Sequence, residues 1–385
     1  MLSIEIIADL TKLEAFVPEW SVLFVAVTPK TPSKSPLWCL AWWRRYRRHN
    51  VWAFDDMRVY VLRDQNGRLV GVAPMIVTRR PGYGAFCLRE LQYFGADPYI
   101  TQLRGPVCRG EDLSAVCEAL STRILADKCC DWVQWQGLPL TGFKGQPANF
   151  QPERGLGDVD YCLNLSGSWD LFLESAPKKT RKAVRRYYKD LQADEIAFEF
   201  RVLTRAEEAP EALAKLYELH RLRSEMTDPS VEHPNLFAPA KARHFIEDYC
   251  HGLALEGGLR LFQLLIGGEI VATRLGFAMG DELELYFSGY EPKWAQYSIM
   301  TVLIAEVIKW SNQTGVRVLS LGSGRDRSKT RWNPESHETS GGYYHQNWKS
   351  RLALAALVPR RHGRKAPAEK PLQDCDFPQA SVEAG

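Results

Sequence analysis

A carboxylate, a phenol and a hydroxyl recur at every second position in Glu284, Tyr286 and Ser288, alternating with Leu283, Leu285 and Phe287. Alternate side chains of a strand share a face, so the spacing predicts the three polar groups on one side and the three apolar ones on the other. Such a face either meets solvent or carries groups that take up and release protons. A three-residue loop at Met279-Gly280-Asp281 would set Arg274 opposite Tyr286 and diagonal to Glu284, close enough to pair. Beyond the strand, Gln296-Tyr297-Ser298 precedes Ile299, Val302, Leu303, Val307 and Trp310, which recur with a helical period. The free N–H groups and dipole of that helix start favour a phosphate or pyrophosphate.

Other chemical signatures are missing. The chain has no Walker loop and no G-x-S-x-G elbow. His337-Glu338 lacks a second histidine, because position 341 is glycine, and the eight histidines show no ligand spacing. Gly322-Ser323-Gly324 follows a strand, yet no third glycine and no good helix opening follow it, which argues against a dinucleotide fingerprint. Neither a metal nor a nicotinamide cofactor is expected.

The elements that must position these residues come in two similar sets. Residues Gln65–Gly137 and Gly267–Gly324 each read strand, tight turn, strand, strand, loop, helix, strand. In the first set Val59–Leu62 meets Asp64-Gln65-Asn66-Gly67, returns as Leu69–Val77 and is followed by Leu91–Phe94. In the second, Leu259–Leu265 meets Ile266-Gly267-Gly268-Glu269, returns as Ile270–Phe277 and is followed by Leu283–Phe287. Asn-Gly and Gly-Gly supply the positive φ angles of hairpin turns. Each set then runs Tyr-Phe into a Gly/Pro loop, a helix and a last strand, Trp132–Trp135 or Val316–Leu321. An α/β fold of two units follows: residues 1–160, residues 161–358, and a disordered tail over residues 359–385, where Arg, Lys, Pro, Ala and Gln dominate. Leu138–Asp160, rich in Gly, Pro and polar residues, reads as the connection.

Composition narrows the class. A chain of 385 residues exceeds one ordinary core. Hydrophobic residues at 45%, charged residues at 25% and a formal charge of +3 describe a globular protein without a global pull toward nucleic acid. Nine cysteines without C-x-x-C or framework spacing suggest reduced thiols that pack as small hydrophobes. Glu5 and Asp9 stand where a signal peptide would be basic, and no apolar run approaches the ~20 residues of a membrane span. A cytoplasmic protein is expected.

Ser35–Arg48 reads as a helix, with Pro36 in its first turn, Trp38, Trp42 and Tyr46 on one face, and Arg44, Arg45, Arg47 and Arg48 toward its end. The aromatic stripe suits a core, or a pocket wall. Ser168–Leu191 reads as one capped helix holding Lys178, Lys179, Arg181, Lys182, Arg185, Arg186 and Lys189, a solvated face or a surface for phosphate, anionic glycan or RNA. Amphipathic helices are expected over Pro210–Arg223 and Pro239–Leu255.

The run from Leu283 to Ser298, then helix, Gly315, strand and Gly322-Ser-Gly-Arg-Asp-Arg-Ser-Lys329-Thr-Arg-Trp332, resembles bacterial GNAT-type acyltransferases of the cellulose and exopolysaccharide biosynthesis group. These are related to the Fem aminoacyltransferases, which carry two GNAT-like units in tandem. The resemblance spans most of residues 20–350 and includes Ser35–Trp43 and Lys178–Arg186. It departs at Ser298-Ile299-Met300, where the family tends to Ser-Pro-Gly, and at Ser320-Leu321-Gly322 and Ser328-Lys329.

The resemblance implies mixed, mostly antiparallel sheets flanked by helices, and an acetyl-CoA or other acyl-CoA co-substrate without a metal. Transfer to an amine or hydroxyl of a small molecule or glycan precursor needs a base, oxyanion donors and an acid for the thiolate. Glu284 is then the expected base and Tyr286 the acid or orienting group, with Arg274 beside them. Gln296, Tyr297, Ser298 and Thr301 would hold the pyrophosphate, and Lys329 would donate to phosphate or acceptor. Two alternatives accompany this reading. One is Fem-like aminoacyl transfer from charged tRNA, with Lys178–Lys189 facing the RNA. The other is a non-catalytic scaffold among polysaccharide-synthesis proteins.

Overall fold

The computed structural model describes residues 2–81, 87–97, 99–153, 156–165, 167–226, 234–324 and 326–346. The tail expected over residues 359–385 lies outside them. The first unit comprises β1 (Ser3–Ile7), α1 (Leu10–Val25), α2 (Pro36–Tyr46), β2 (His49–Asn50), β3 (Ala53–Arg63), β4 (Leu69–Pro81), β5 (Cys87–Tyr93), β6 (Val107–Cys108), α3 (Leu113–Asp127) and β7 (Trp132–Leu138). After the short β8 (Gln151–Pro152), the second comprises β9 (Asp158–Asn164), α4 (Trp169–Ser175), α5 (Lys178–Ala193), β10 (Phe198–Leu203), α6 (Ala209–Ser224), α7 (Ala240–Leu255), β11 (Leu259–Ile266), β12 (Glu269–Met279), β13 (Glu282–Tyr290), α8 (Ile299–Gln313), β14 (Val318–Ser323) and α9 (Arg327–Thr330). The last described strand, β15 (Glu335–His345), pairs with β7 on one side and β9 on the other. It joins the two units into one mixed sheet ordered β1-β3-β4-β5-β7-β15-β9-β14-β13-β12-β11-β10.

The duplication is visible in this topology. In each unit three antiparallel strands (β3-β4-β5 or β11-β12-β13) lead through a helix to a strand that returns parallel to the third. Local chemistry explains the turns and caps. Asp64 Oδ1 accepts the N–H groups of Asn66 and Arg68 at the first hairpin, and Ser35 Oγ accepts the N–H of Trp38 to open α2.

The helix expected over Ser168–Leu191 is two helices. Pro177 lacks an N–H and pushes Ala176 out of the helical region, so α4 ends at Ser175 and α5 begins at Lys178. Within α5, Thr180, Val184, Tyr187 and Leu191 face the core, while Lys178, Lys182, Arg185, Arg186 and Lys189 are exposed.

The aromatic face of α2 packs between the units. Trp38 stacks edge-on against Phe245 and Tyr249 of α7 at centroid distances of 4.8 and 4.7 Å, and lies 5.5 Å from Tyr286. One apolar cluster thus contains Trp38 and Trp42 of the first unit and Phe245, Phe277 and Phe287 of the second. Each such side chain withdrawn from water contributes about 1.5–3 kcal/mol, which holds the units together along this seam.

Candidate active site where β13 and β14 part

The β12–β13 hairpin closes through Met279 opposite Glu282, leaving Gly280 and Asp281 as a two-residue turn. The register then shifts: Gly276 lies opposite Leu285, but Arg274 lies opposite Ser288. Two residues of β13, Tyr286 and Phe287, therefore face the single Leu275, a β-bulge. This corrects two expectations. The turn has two loop residues rather than three, and Arg274 pairs with Ser288 rather than Tyr286. The bulge also brings Phe287 into the same apolar cluster as Tyr286, off the face it was expected to share with Leu283 and Leu285.

On its other side β13 runs parallel to β14 only through Glu282, Leu283 and Glu284, paired with Val318, Leu319 and Ser320. Beyond Glu284 the strands part. At that point Glu284 is 1% exposed, and neither of its carboxylate oxygens has a hydrogen-bond partner. Burial raises its pKa well above the carboxylate range, Asp160 adds to the rise, and Lys329 and Lys34 oppose it. Asp160 is held by Ser320 Oγ, which donates to Oδ1 at 2.7 Å, and by Cys162 Sγ at 3.3 Å.

Arg274 spans the parting itself. Its Nη2 donates to the carbonyls of Leu285 on β13 and Leu321 on β14, at 3.3 and 3.4 Å, while its Nε is buried without a partner. Burial lowers its pKa to about 10, and Arg223 pushes the same way. Arg223 comes from α6, which approaches β13 so closely that a Cβ on Gly289 would fall on the backbone of Leu219 and His220. From there Arg223 donates to Ser288 Oγ at 3.0 Å. Lys329 caps the loop after β14 through the carbonyls of Ser323 and Gly324 and lies 3.5 Å from Asp326. Burial lowers its pKa, against the pull of Asp326.

Tyr286 is tied to the first unit. Its hydroxyl donates to the carbonyl of Ile100 at 2.8 Å and accepts the N–H of Gln102 at 3.1 Å. Burial, then the charge of Glu284, raises its pKa well above the phenol range.

The start of α8 lies beyond the bulge. A short 3-10 helix over Pro292–Tyr297 leads into Ser298, which adopts the left-handed conformation at φ 50° and ψ 45°. A residue with a Cβ held there is strained, which suits a site over-determined by its surroundings. Arg331 Nη1 donates to Thr301 Oγ1 at 2.7 Å on the first turn. Tyr187 of α5 adds to this cluster: burial raises its pKa, but the hydrogen bond with Ser298 and the charges of Arg331 and Arg186 bring it below its usual value. Tyr297 instead gives its proton to Asp194 at 2.6 Å, and Gln296 is exposed beside it.

The structure therefore gathers Glu284, Arg274, Tyr286 and Lys329 at the parting, and Ser298 and Thr301 at the helix start. Gln296 and Tyr297 stand outside both, on the surface. Missed by sequence reasoning were Asp160, Lys34, Gln102, Arg223 and Arg331. Only Arg331 had a signal, lying inside the run Gly322–Trp332; the others arrive from remote segments.

Among the described residues no His, Cys, Asp and Glu side chains gather as a metal would need, and no helix is long and apolar enough to cross a membrane. Residues 178–330 match the family model described as an acetyltransferase (GNAT) domain. The crystal structure of FemX is similar in fold, with a TM-score of 0.56 and 10% identity over 87% of this chain and 96% of that one. So is a conserved protein of unknown function from Bacteroides thetaiotaomicron VPI-5482, with a TM-score of 0.50 and 14% identity over 89% and 99%. No curated protein matches the chain in sequence. At such identities the likeness shows the fold alone, an α/β mixed sheet flanked by helices; the match of residues 178–330 and the repeated strand and helix order of this chain make it two GNAT-like units in tandem.

Proposed function

We propose that the chain moves an acyl group from an acyl-CoA thioester to an amine or hydroxyl of a small molecule or a cell-envelope or polysaccharide precursor, in the cytoplasm. The observation that carries this reading is Glu284, a buried carboxylate with both oxygens unpartnered where two parallel strands part inside an acetyltransferase-type domain. A raised pKa makes the ionised carboxylate a stronger base toward an amine or hydroxyl. Glu284 accepts the nucleophile's proton as the new N–C or O–C bond forms at the thioester carbon. The C–S bond then breaks, and the thiolate leaves with a proton from solvent or a nearby donor. Arg274, with its unpartnered Nε, and Lys329 supply positive charge beside the developing oxyanion. Ser298, Thr301 and Arg331 suit the pyrophosphate, whereas Gln296 and Tyr297 are left to the rim.

Lys329 and Lys34 near Glu284, with Arg274 beside Lys329 and Arg223 beside Arg274, favour an acceptor that itself carries a phosphate or carboxylate. The test is release of free CoA thiol from acetyl-CoA and longer acyl-CoAs in the presence of amines and amino or nucleotide sugars. Thiol release that needs an acceptor and disappears in Glu284→Gln supports the reading. Release that persists in a folded Glu284→Gln protein overturns the assignment of the base.

The exposed basic face of α5 favours a second reading, aminoacyl transfer from a charged tRNA. It requires RNA binding that weakens steeply with salt and is lost when Lys182, Arg185 and Lys189 are neutralised together.

A further inference from the structure

The strands part at matching places in both units. In the first, β5 and β7 pair through Glu90 with Trp132 and Leu91 with Val133, and then diverge. In the second, the last pair before divergence is Glu284 with Ser320. Leu91 packs against α3 as Leu283 and Leu285 pack against α8, so the residues of β5 on the face that carries Glu284 are Glu90 and Gln92. Glu90 is paired with Arg80 at 3.3 Å and Gln92 donates to Thr78 at 2.8 Å, and neither offers an unpartnered carboxylate.

Beyond this point the units differ. In the second, β13 stays paired with β12 beyond the parting, through the Tyr286-Phe287 bulge as far as Tyr290. The first keeps its pairing only through Phe94, whose N–H donates to Pro74 at 2.8 Å; β4 is next met by Val107 and Cys108, opposite Val72 and Gly71. The chain between leaves the sheet, and its residues 104–106 lie on β7. Gly105 and Gly137 are so close that a Cβ on Gly137 would stand 2.8 Å from both the carbonyl of Arg104 and the Cα of Gly105. Backbone therefore fills the space at the first parting. The following helix start is also poorly suited to phosphate, because Glu111 and Asp112 lie in the turn that leads into α3 and outnumber Arg109, which caps that turn.

The same excursion reaches the second parting. Gln102 accepts a hydrogen bond from Ser323 Oγ at 2.7 Å and gives its N–H to Tyr286, while Leu103 donates to Asp158 at 3.2 Å and accepts from Ser33 at 3.1 Å.

We propose that the chain binds a single acyl donor, in the second unit alone, and that the first unit's own slot, filled by residues 104–106, has become the support from which Gln102 walls the slot of the second. Gln102 is then a positioning residue of the first unit in the second unit's site. The inference rests on the acyl-CoA reading above.

The test is titration calorimetry of the full chain with acetyl-CoA and with free CoA, together with hydrogen–deuterium exchange. One site per chain is expected, with protection at the end of β13 and the start of α8 and none at the start of α3. Thr301→Glu, checked for fold by circular dichroism, should abolish that site. Two sites per chain, protection at the start of α3, or a site that survives Thr301→Glu overturns the proposal and leaves the donor reading standing. No binding of either ligand overturns the donor reading, and this proposal with it.

Discussion

Lys30 and Glu282 are joined twice across the two units: the N–H of Lys30 donates to Oε2 at 2.7 Å and its ammonium to Oε1 at 2.9 Å. Both side chains are only 7% exposed, and Asp281 stands 3.9 Å from the same ammonium. The pair holds the segment before α2 against the β12–β13 turn, one end of the strand that carries Glu284.

Removing one member leaves a buried charge, which costs more than removing both. Lys30→Met should lower stability by about 3–5 kcal/mol, whereas Lys30→Met with Glu282→Gln, which keeps an acceptor for the Lys30 N–H, should recover a large part of that loss. Urea unfolding of the three proteins gives the comparison. Equal losses in the single and double variants would show that the pair does not brace the seam.

Gly137 has φ 66° and no room for a side chain against Arg104 and Gly105. Gly137→Ala should therefore destabilise the first unit by roughly 1–3 kcal/mol and lift residues 104–106 from β7. Faster amide exchange over residues 99–106, with β11 and β12 unchanged, is the expected signature. A variant with wild-type melting and exchange would mean that the contact carries no strain.

The Tyr286 hydroxyl has both its proton and a lone pair engaged by the excursion. Tyr286→Phe leaves the carbonyl of Ile100 and the N–H of Gln102 without that partner, at a cost of about 1–3 kcal/mol. Exchange of the Gln102 amide should accelerate. If exchange stays unchanged while turnover falls, the phenol serves the chemistry as an acid rather than the architecture.

How far the sequence reveals this site depends on how far apart its parts are. The hairpin turns after β3 and β11, the aromatic face of α2 and the apolar face of α8 are local patterns, and each is legible. Pro177 alone marks the break between α4 and α5, a one-residue signal inside a strongly basic run. The bulge is a different matter: an alternating pattern looks the same with or without an extra residue, so Leu283–Ser288 could not show that Arg274 meets Ser288. Lys34, Asp160 and Gln102 lie far from Glu284 along the chain. Gln102 acts through its backbone and one amide, which leave no compositional trace.

Glu284→Gln separates function from stability. An unfolded glutamate ionises near pH 4.3, while burial keeps the native carboxyl protonated to higher pH. Between those two values the unfolded state holds fewer protons than the native state, so native stability falls as pH rises and levels off only above the raised native pKa. The amide cannot ionise, so the variant should lose this slope. It should be nearly as stable as the parent at pH 4 and more stable by on the order of 1–3 kcal/mol at pH 8. If Glu284 is the base, turnover should nevertheless drop by about 10²–10⁴-fold. Thermal melts across that pH range, beside thiol-release rates, read both effects. A variant that is less stable at pH 8 would show that the carboxylate is paired in solution, and the case for an unpartnered base would go with it.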